Sequence, residues 1–340
     1  MITRDQARSA ISQGPDAREP LLRAPRSRAQ WFAYLYILPA FLIISVFHIL
    51  PVGYAVWISL QSGVVRRFQF TGLDNYIRAL NAPEFWSALQ TTIFYTLGTV
   101  PITMALGLGI AYLLFQKIRG RGIYRAIYFM PYIISTVASA IVWAWVFDPR
   151  TGLANYALAL FGLPAQQWLI EPTGIFKLIG EGLHFSVPGW AEGPSLALVG
   201  IMIFAVWQVV GFDIVIFLAG LGNINSELYE AARIDGATGW QVFRHITLPL
   251  LAPTTFFILV ISLIFSLQAF NHIYAMNRSA AQQLGGPLGS TRTLSIYMFQ
   301  ALYEQNRAGY ASAIAVLLSL MILGLTFIQF RFLGKRSENA

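Results

Sequence analysis

Ser226-Glu-Leu-Tyr-Glu-Ala-Ala-Arg-Ile-Asp-Gly-Ala-Thr-Gly-Trp-Gln-Val-Phe-Arg-His-Ile-Thr-Leu-Pro249 is a polar island between two long apolar runs, and its residues specify a short helix with a defined end. Ser226 is placed to accept a backbone N–H as an N-cap, Glu227 brings negative charge to the first turn, and Leu228, Ala231 and Ala232 recur at helical spacing. Gly236 offers a break, and Pro249 marks the start of the following apolar run. The expected product is a helix with a small-residue face flanked by Glu230, Arg233 and Asp235, a surface that another protein can approach closely.

The flanking sequence sets the solvent. Of the 340 residues, 56% are hydrophobic and 11% charged, a balance that belongs in a bilayer. A hydrocarbon core about 30 Å thick takes roughly 20 apolar residues as helix. Six segments are long enough: Trp31 to Leu60, Ala88 to Phe115, Ile123 to Phe147, Ser195 to Leu221, Leu250 to Ala275 and Tyr310 to Phe332. Their apolar runs are continuous rather than alternating, which favours helices over a transmembrane barrel. The fold expected is therefore all-α, a polytopic membrane protein of about six transmembrane helices.

Lys and Arg mark the sides, because cytoplasmic loops retain them. With the N-terminus inside, 15 of the 23 basic residues fall on cytoplasmic pieces, and the Ser226 to Pro249 segment is cytoplasmic too. Three regions follow: a basic N-terminal tail at 1–30, a transmembrane domain at 31–333, and a C-terminal tail at 334–340, both tails cytoplasmic. The tail at 1–30 is no secretory signal, since the span after it is too long for a signal core. The net charge of +8 reflects basic residues flanking spans and touching anionic lipid, so no nucleic-acid partner is expected.

Catalytic chemistry finds no foothold in the sequence. The three lysines, Lys117, Lys177 and Lys335, lie outside any phosphate-cradling Gly-x-x-x-x-Gly-Lys loop, so ATP hydrolysis within this chain is not expected. His48, His184, His245 and His272 lack ligand spacing, and there are no cysteines, so neither metal binding nor thiol chemistry is indicated.

The polar segment resembles the cytoplasmic EAA loop of permease subunits of binding-protein-dependent ATP-binding-cassette importers. That pattern is Glu-Ala-Ala, three residues, Gly, nine residues, Ile-x-Leu-Pro, and Glu230, Ala231, Ala232, Gly236, Ile246, Leu248 and Pro249 stand at its positions. Phe217 to Leu221, Phe270 to Tyr274, Gly285 to Pro287 with Thr293 and Leu294, and Gly309 to Ala313 resemble the carbohydrate-uptake branch, which carries maltose, other oligosaccharides and glycerol phosphate. Two departures stand out: extra residues at Asn277 to Leu284, and Asn225 where the branch usually has proline, which should loosen the start of the docking helix.

The resemblance implies a type I importer permease fold with a cytoplasmic coupling helix in a prokaryotic inner membrane. It implies a homologous second permease, an ATPase dimer and an extracytoplasmic solute-binding protein. No cofactor is expected on this chain itself; ATP and Mg would sit on the partner ATPase. In the loop at 222–249, Glu230 would meet that partner through a charged contact, with Asp235 beside it. Ala231 and Ala232 would allow close approach and Gly236 the turn. The long loop at 148–194 would meet the binding protein or cover the helix ends.

Candidate pathway residues follow from polarity inside the spans. Asp213 is the one clearly intramembrane acid, and either lines the pathway or bonds a neighbouring helix. Gln268, Asn271 and His272 fall at i, i+3 and i+4 of the fifth span and share one helical face. Their alternatives are sugar-hydroxyl recognition and interhelical glue. Trp207 and Gln208 could stack on and bond a sugar ring, or simply pack. Lys and Arg are absent from the middles of the spans, which makes a neutral sugar, polyol or glycoside the easier passenger. The rival function is an ion-coupled secondary transporter that needs no ATPase; a single buried acid and no evident repeat weigh against it.

Overall fold

The computed structural model describes residues 26–63, 68–116 and 119–334, with the side chains of 26–33 and 333–334 outside the description. The expected tails at 1–30 and 334–340 thus lie mostly outside the described residues; Arg26 to Gln30 are already helical. The chain divides into one unit ending at Tyr54 and a second beginning at Ala55.

Helix α1 (Arg26–Ile44) forms the first unit with a π turn at Ser45–Ile49 and the start of α2 (Leu50–Ser59). The wide turn has a local cause. Pro51 has no N–H to donate to the carbonyl four residues back, and its ring would strike that carbonyl. A π turn, in which Leu50 N–H bonds Ser45 O instead, relieves the crowding. The stretch Tyr34–Ser59 is long and apolar enough to cross a membrane, and Tyr36, Phe47 and Val52 are exposed, as lipid-facing side chains are.

Among its described residues the second unit has helices, one two-residue antiparallel ladder, β1 (Gln61–Ser62) with β2 (Gln69–Phe70), and an isolated bridge from Gly174 to Ser195. After the ladder come α3 (Asp74–Asn81), α4 (Pro83–Phe115), α5 (Arg121–Ile133), α6 (Thr136–Val146), α7 (Leu153–Leu160) and α8 (Ile175–Gly182). They are followed by α9 (Leu196–Gly222), α10 (Ser226–Ile234), α11 (Gly239–Val242), a π turn at Phe243–Thr247, α12 (Leu248–Leu250) and α13 (Ala252–Leu267). The chain then forms α14 (Asn271–Ala280), α15 (Leu294–Phe299) and α16 (Ala308–Gln329).

Four stretches cross as single helices: Tyr34–Ser59, α4, α9 and Ala308–Phe332. The other two expected spans are each broken within the segment. The segment Ile123 to Phe147 bends by 96° between α5 and α6, where Ile134 and Ser135 are extended. The segment Leu250 to Ala275 is α13 followed by a break at Gln268 to Phe270, and α14 then runs on to Ala280. Pro249 does not open that span either. It lies in the helical turn Leu248–Leu250, the end of the Gly239–Leu250 segment that meets α13 at 63°. The π turn Phe243–Thr247 precedes Pro249 as Ser45–Ile49 precedes Pro51, with Leu248 N–H bonding Phe243 O.

Helices α4 and α9 form the spine of the second unit. Three buried clusters lie along them: Phe204, Ile201 and Met276 in one, Phe85, Leu294 and Ile314 in another, Phe217, Leu221 and Ile258 in the third. Between helices in lipid there is little hydrophobic gain, so close packing of small and hydroxyl residues carries the association. On α4, Thr92, Thr96, Thr99 and Thr103 are buried along one face. Thr92 Oγ1 donates to Ala88 O (2.7 Å) and accepts Leu294 N–H (2.9 Å), tying α4 to α15. Gly211 of α9 lies directly against the backbone of Tyr128 and Phe129, so a Cβ there would collide with the Tyr128 carbonyl. The glycine is what lets α5 cross α9 at backbone distance.

The 148–194 loop is folded. Asp148 Oδ1 accepts the Thr151 N–H (2.8 Å) and the Arg150 N–H (2.9 Å), which holds its carboxyl below the usual carboxylate range. Buried Asn155 donates to Pro149 O and Gln166 O and accepts from the Gln166 N–H and the Trp168 indole, each at 2.9 Å. Leu169 is buried in the first cluster, and Phe147 stacks on Trp168 at 5.2 Å. The extra residues Asn277 to Leu284 also close on themselves: Asn277 donates to Leu284 O (2.9 Å) and accepts from the Thr291 hydroxyl (3.0 Å).

Candidate functional site

Two sets of residues fall together. The first is the polar loop between α9 and α13. Its helix α10 is capped by Asn225, not by Ser226: the Asn225 side chain accepts the Glu227 N–H at 3.0 Å and Ser226 is the first helical residue. Asn225 therefore fixes the start of the helix rather than loosening it, since asparagine is among the best N-caps. The other end is closed by left-handed Gly236 (φ 74°), with Ala237 N–H on Ala232 O (2.9 Å) and Gly236 N–H on Arg233 O (3.1 Å). Those two bonds form a Schellman motif, and its left-handed position is the one that glycine occupies without strain. Thr238 and Gln241 then build a reciprocal capping box for α11.

Exposure sorts the motif residues. Glu230, Ala231, Arg233, Asp235 and Gly236 face out, whereas Ala232 is 8% exposed and packs inward. Ala232 is thus part of the chain's own interior, which corrects its assignment to the outward face; neighbours on a helix point about 100° apart. Leu248 and Pro249 are exposed and Ile246 is half-buried. Ile234 at 87%, Trp240 at 66% and Leu228 at 45% exposure are large apolar side chains left open that the motif did not disclose. The signal for them lay in large apolar residues inside an otherwise polar segment. The loop is bolted to the spans by aromatic contacts: Tyr112 with Phe243 (4.9 Å), Phe115 with Tyr229 (6.4 Å), and Tyr229 OH to Thr247 Oγ1 (3.2 Å).

The second set lines a cavity of about 310 Å³ among α4, α9, α13 and the two helix breaks. Tyr95, Thr99 and Thr103 come from α4, Thr136 from the α5–α6 bend, Gln208 from α9, Gln268 from the break before α14, and Asn271 and His272 from the first turn of α14. Non-helical backbone at membrane depth is tolerated where it lines a cavity, and both breaks do so. His272 Nε2 lies 2.8 Å from Tyr95 OH, and Gln208 Nε2 donates to Thr136 Oγ1 at 3.0 Å. Among the described residues, no Asp, Glu, Lys or Arg lines this cavity. Its polar groups are hydroxyls, amides and one imidazole, which offer donors and acceptors without fixed charge.

Of the six candidate pathway residues, Gln208, Gln268, Asn271 and His272 line the cavity. The helical-face argument for the last three fails, because the helix ends at Leu267 and restarts at Asn271; the break itself gathers them. Trp207 lies outside the lining, packed on Trp143 (5.2 Å) and Phe204 (6.1 Å). Asp213 also lies outside it. It is fully buried against Gly107 and beside Thr103, both on the neighbouring helix α4. Tyr95, Thr99, Thr103 and Thr136 were missed: threonine and tyrosine inside an apolar run carry no signal until a neighbour is known. A larger recess of about 800 Å³ lies elsewhere, among the loops, and is lined by charged residues including Arg78, Glu84, Arg292 and Arg307.

About six membrane-spanning segments, with a neutral cavity at two helix breaks of the second unit and a locally closed polar knob on one loop, are the build of a membrane transport subunit. The chain belongs to the family described as binding-protein-dependent transport system inner membrane component, which matches residues 102–337. It is 35% identical, over 86% of its length and 92% of the relative's, to a probable ABC transporter permease protein of Pyrococcus horikoshii. It is 34% identical to the trehalose/maltose transport system permease protein MalF of Thermococcus litoralis, covering 88% of this chain and 92% of that one. Among solved structures it is similar to a chain of a bacterial alginate ABC transporter in complex with an alginate pentasaccharide-bound periplasmic protein. That likeness has a TM-score of 0.74 and 21% identity, and covers 91% of this chain and 96% of that chain. The chain is a non-catalytic, multi-pass permease subunit of an ATP-binding-cassette importer. Family membership leaves the ion-coupled alternative without support.

Proposed function

We propose that this permease passes a neutral sugar, polyol or glycoside, as half of a pathway shared with a homologous second permease. The observation that carries the cargo class is the uncharged lining around Tyr95, Gln208, Asn271 and His272. An anionic solute would meet no cation there, and an unpaired charge inside a membrane is costly. The trehalose and maltose named for the Thermococcus relative are of this neutral class.

Energy enters through α10. An ATPase dimer, carrying ATP and Mg, engages the outward residues Glu230, Ala231 and Asp235 with the exposed Ile234, on the cytoplasmic side of a prokaryotic inner membrane where both termini also lie. Gly236 holds the turn, and Ile246, Leu248 and Pro249 pass the displacement through the π turn into α13. The transition is a rigid-body switch between two states, and each ligand acts through its differential affinity for them. A solute-binding protein delivers cargo at the opposite face.

Uptake by the complete importer in proteoliposomes tests the cargo class. Neutral saccharides or polyols are expected to be taken up and not displaced by excess uronate-bearing or phosphorylated glycans. Uptake of an anionic glycan at equal or higher kcat/KM would overturn the reading.

A further inference from the structure

We infer that α7 is a membrane-surface helix, its apolar face seated in the headgroup boundary at the end of the bundle where α6 emerges. Leu153, Tyr156, Ala157 and Leu160 recur at i, i+3, i+4 and i+7 and are all exposed, and Phe161 and Leu163 extend the same apolar surface beyond the helix. Tyr156 and Leu153 are each 66% exposed, Leu160 69% and Phe161 81%, more than a soluble helix of this length leaves open without an occupant.

That face has a fixed direction. Asn155, on the other side of α7, is buried and makes four hydrogen bonds, to Pro149, to Gln166 twice and to Trp168. The helix cannot roll to hide its leucines without breaking them.

Charge selects the occupant. Between Arg150 and Glu171 there is no Asp, Glu, Lys or Arg, so the face has no charged rim of the kind that frames a protein interface. Helix α8 of the same loop differs: it carries Lys177, paired with Glu192 at 3.2 Å, and Glu181. Position agrees with charge. Helix α7 starts within a few residues of the end of α6, which exposes Val142 and Trp145, the latter at 69%. Trp145, Tyr156 and Phe161 then form a group of exposed aromatics where a span leaves the bilayer, the place that favours amphipathic rings. Lipid continues the environment of α6 without interruption; a protein occupant would have to begin where the lipid ends.

The chain has no cysteine, so one introduced cysteine is the single thiol that a nitroxide can label on it. In the complete importer in liposomes, labels at Tyr156→Cys and Leu160→Cys are expected to collide with oxygen in preference to an aqueous nickel relaxant. Their oxygen-to-nickel ratio should exceed that of a label at exposed Gln167→Cys several-fold. Equal ratios at the three positions would place the face in water and overturn the inference. Low collision rates with both reagents would place it under a sister permease or the binding protein and overturn it as well. Ala157→Cys, a small exposed position on the same face, gives the same reading if either larger replacement disturbs assembly.

Discussion

The α10 loop and the central cavity hold the same kinds of polar residue in opposite ways. In the loop the fixing bonds are local. Asn225 bonds Glu227, Ala237 bonds Ala232, Thr238 bonds Gln241, and the farthest-reaching polar tie, Tyr229 to Thr247, spans 18 residues. In the cavity the ties span the fold: Tyr95 to His272 across 177 residues and Gln208 to Thr136 across 72. A locally closed knob keeps its shape while the bundle around it shifts, which is what a force-transmitting element requires. A cavity closed by distant helices changes shape whenever they move, which is what an alternating site requires.

If the cavity depends on helix crossing rather than on local order, the largest effect should come from far outside its lining. Gly211→Val puts a branched side chain into the Tyr128 backbone and is expected to cost about 3 kcal/mol or more, since the packed backbones cannot both relax. Loss of assembled complex on size exclusion, with expression retained, is the readout. Next comes His272→Ala, which strands a buried Tyr95 hydroxyl and removes a cavity donor. A cost of about 1–3 kcal/mol corresponds to roughly a 5- to 150-fold rise in the uptake KM. Trp207→Phe, changed outside the cavity, should leave KM within about twofold. Smallest is Asn225→Ala in the loop, worth about 1 kcal/mol of helix capping and visible as faster amide exchange in α10 with uptake maintained.

The same contrast explains what could be read before any coordinates. Composition located all six spans, because each apolar run has to be long whatever it packs against. The bends at Ile134–Ser135 and at Gln268–Phe270 were only faintly marked, by Pro131 before the first and by Gln268, Asn271 and His272 around the second, signs that an unbroken span also carries. The coupling segment was legible through Gly236 and Pro249, whose backbone limits act locally. Yet the sequence pointed to Ser226 as the cap where Asn225 fills that place, and offered Ala231 and Ala232 as equal surfaces where only Ala231 faces out. Gln268, Asn271 and His272 were found for a reason that the fold does not use. The acids and aromatics were hardest to place: Asp213 and Trp207 both proved to sit behind the cavity wall, because polarity in a span does not say which way a side chain faces.

The central claim is that work from an outside ATPase enters through the exposed face of α10. Solute-stimulated ATP hydrolysis by the complete importer in proteoliposomes tests it most directly, with Glu230→Lys and Gly236→Asp set against the parent. The account predicts that stimulation disappears in both variants while the binding protein's affinity for cargo is unchanged. Stimulation equal to the parent's in either variant would contradict it.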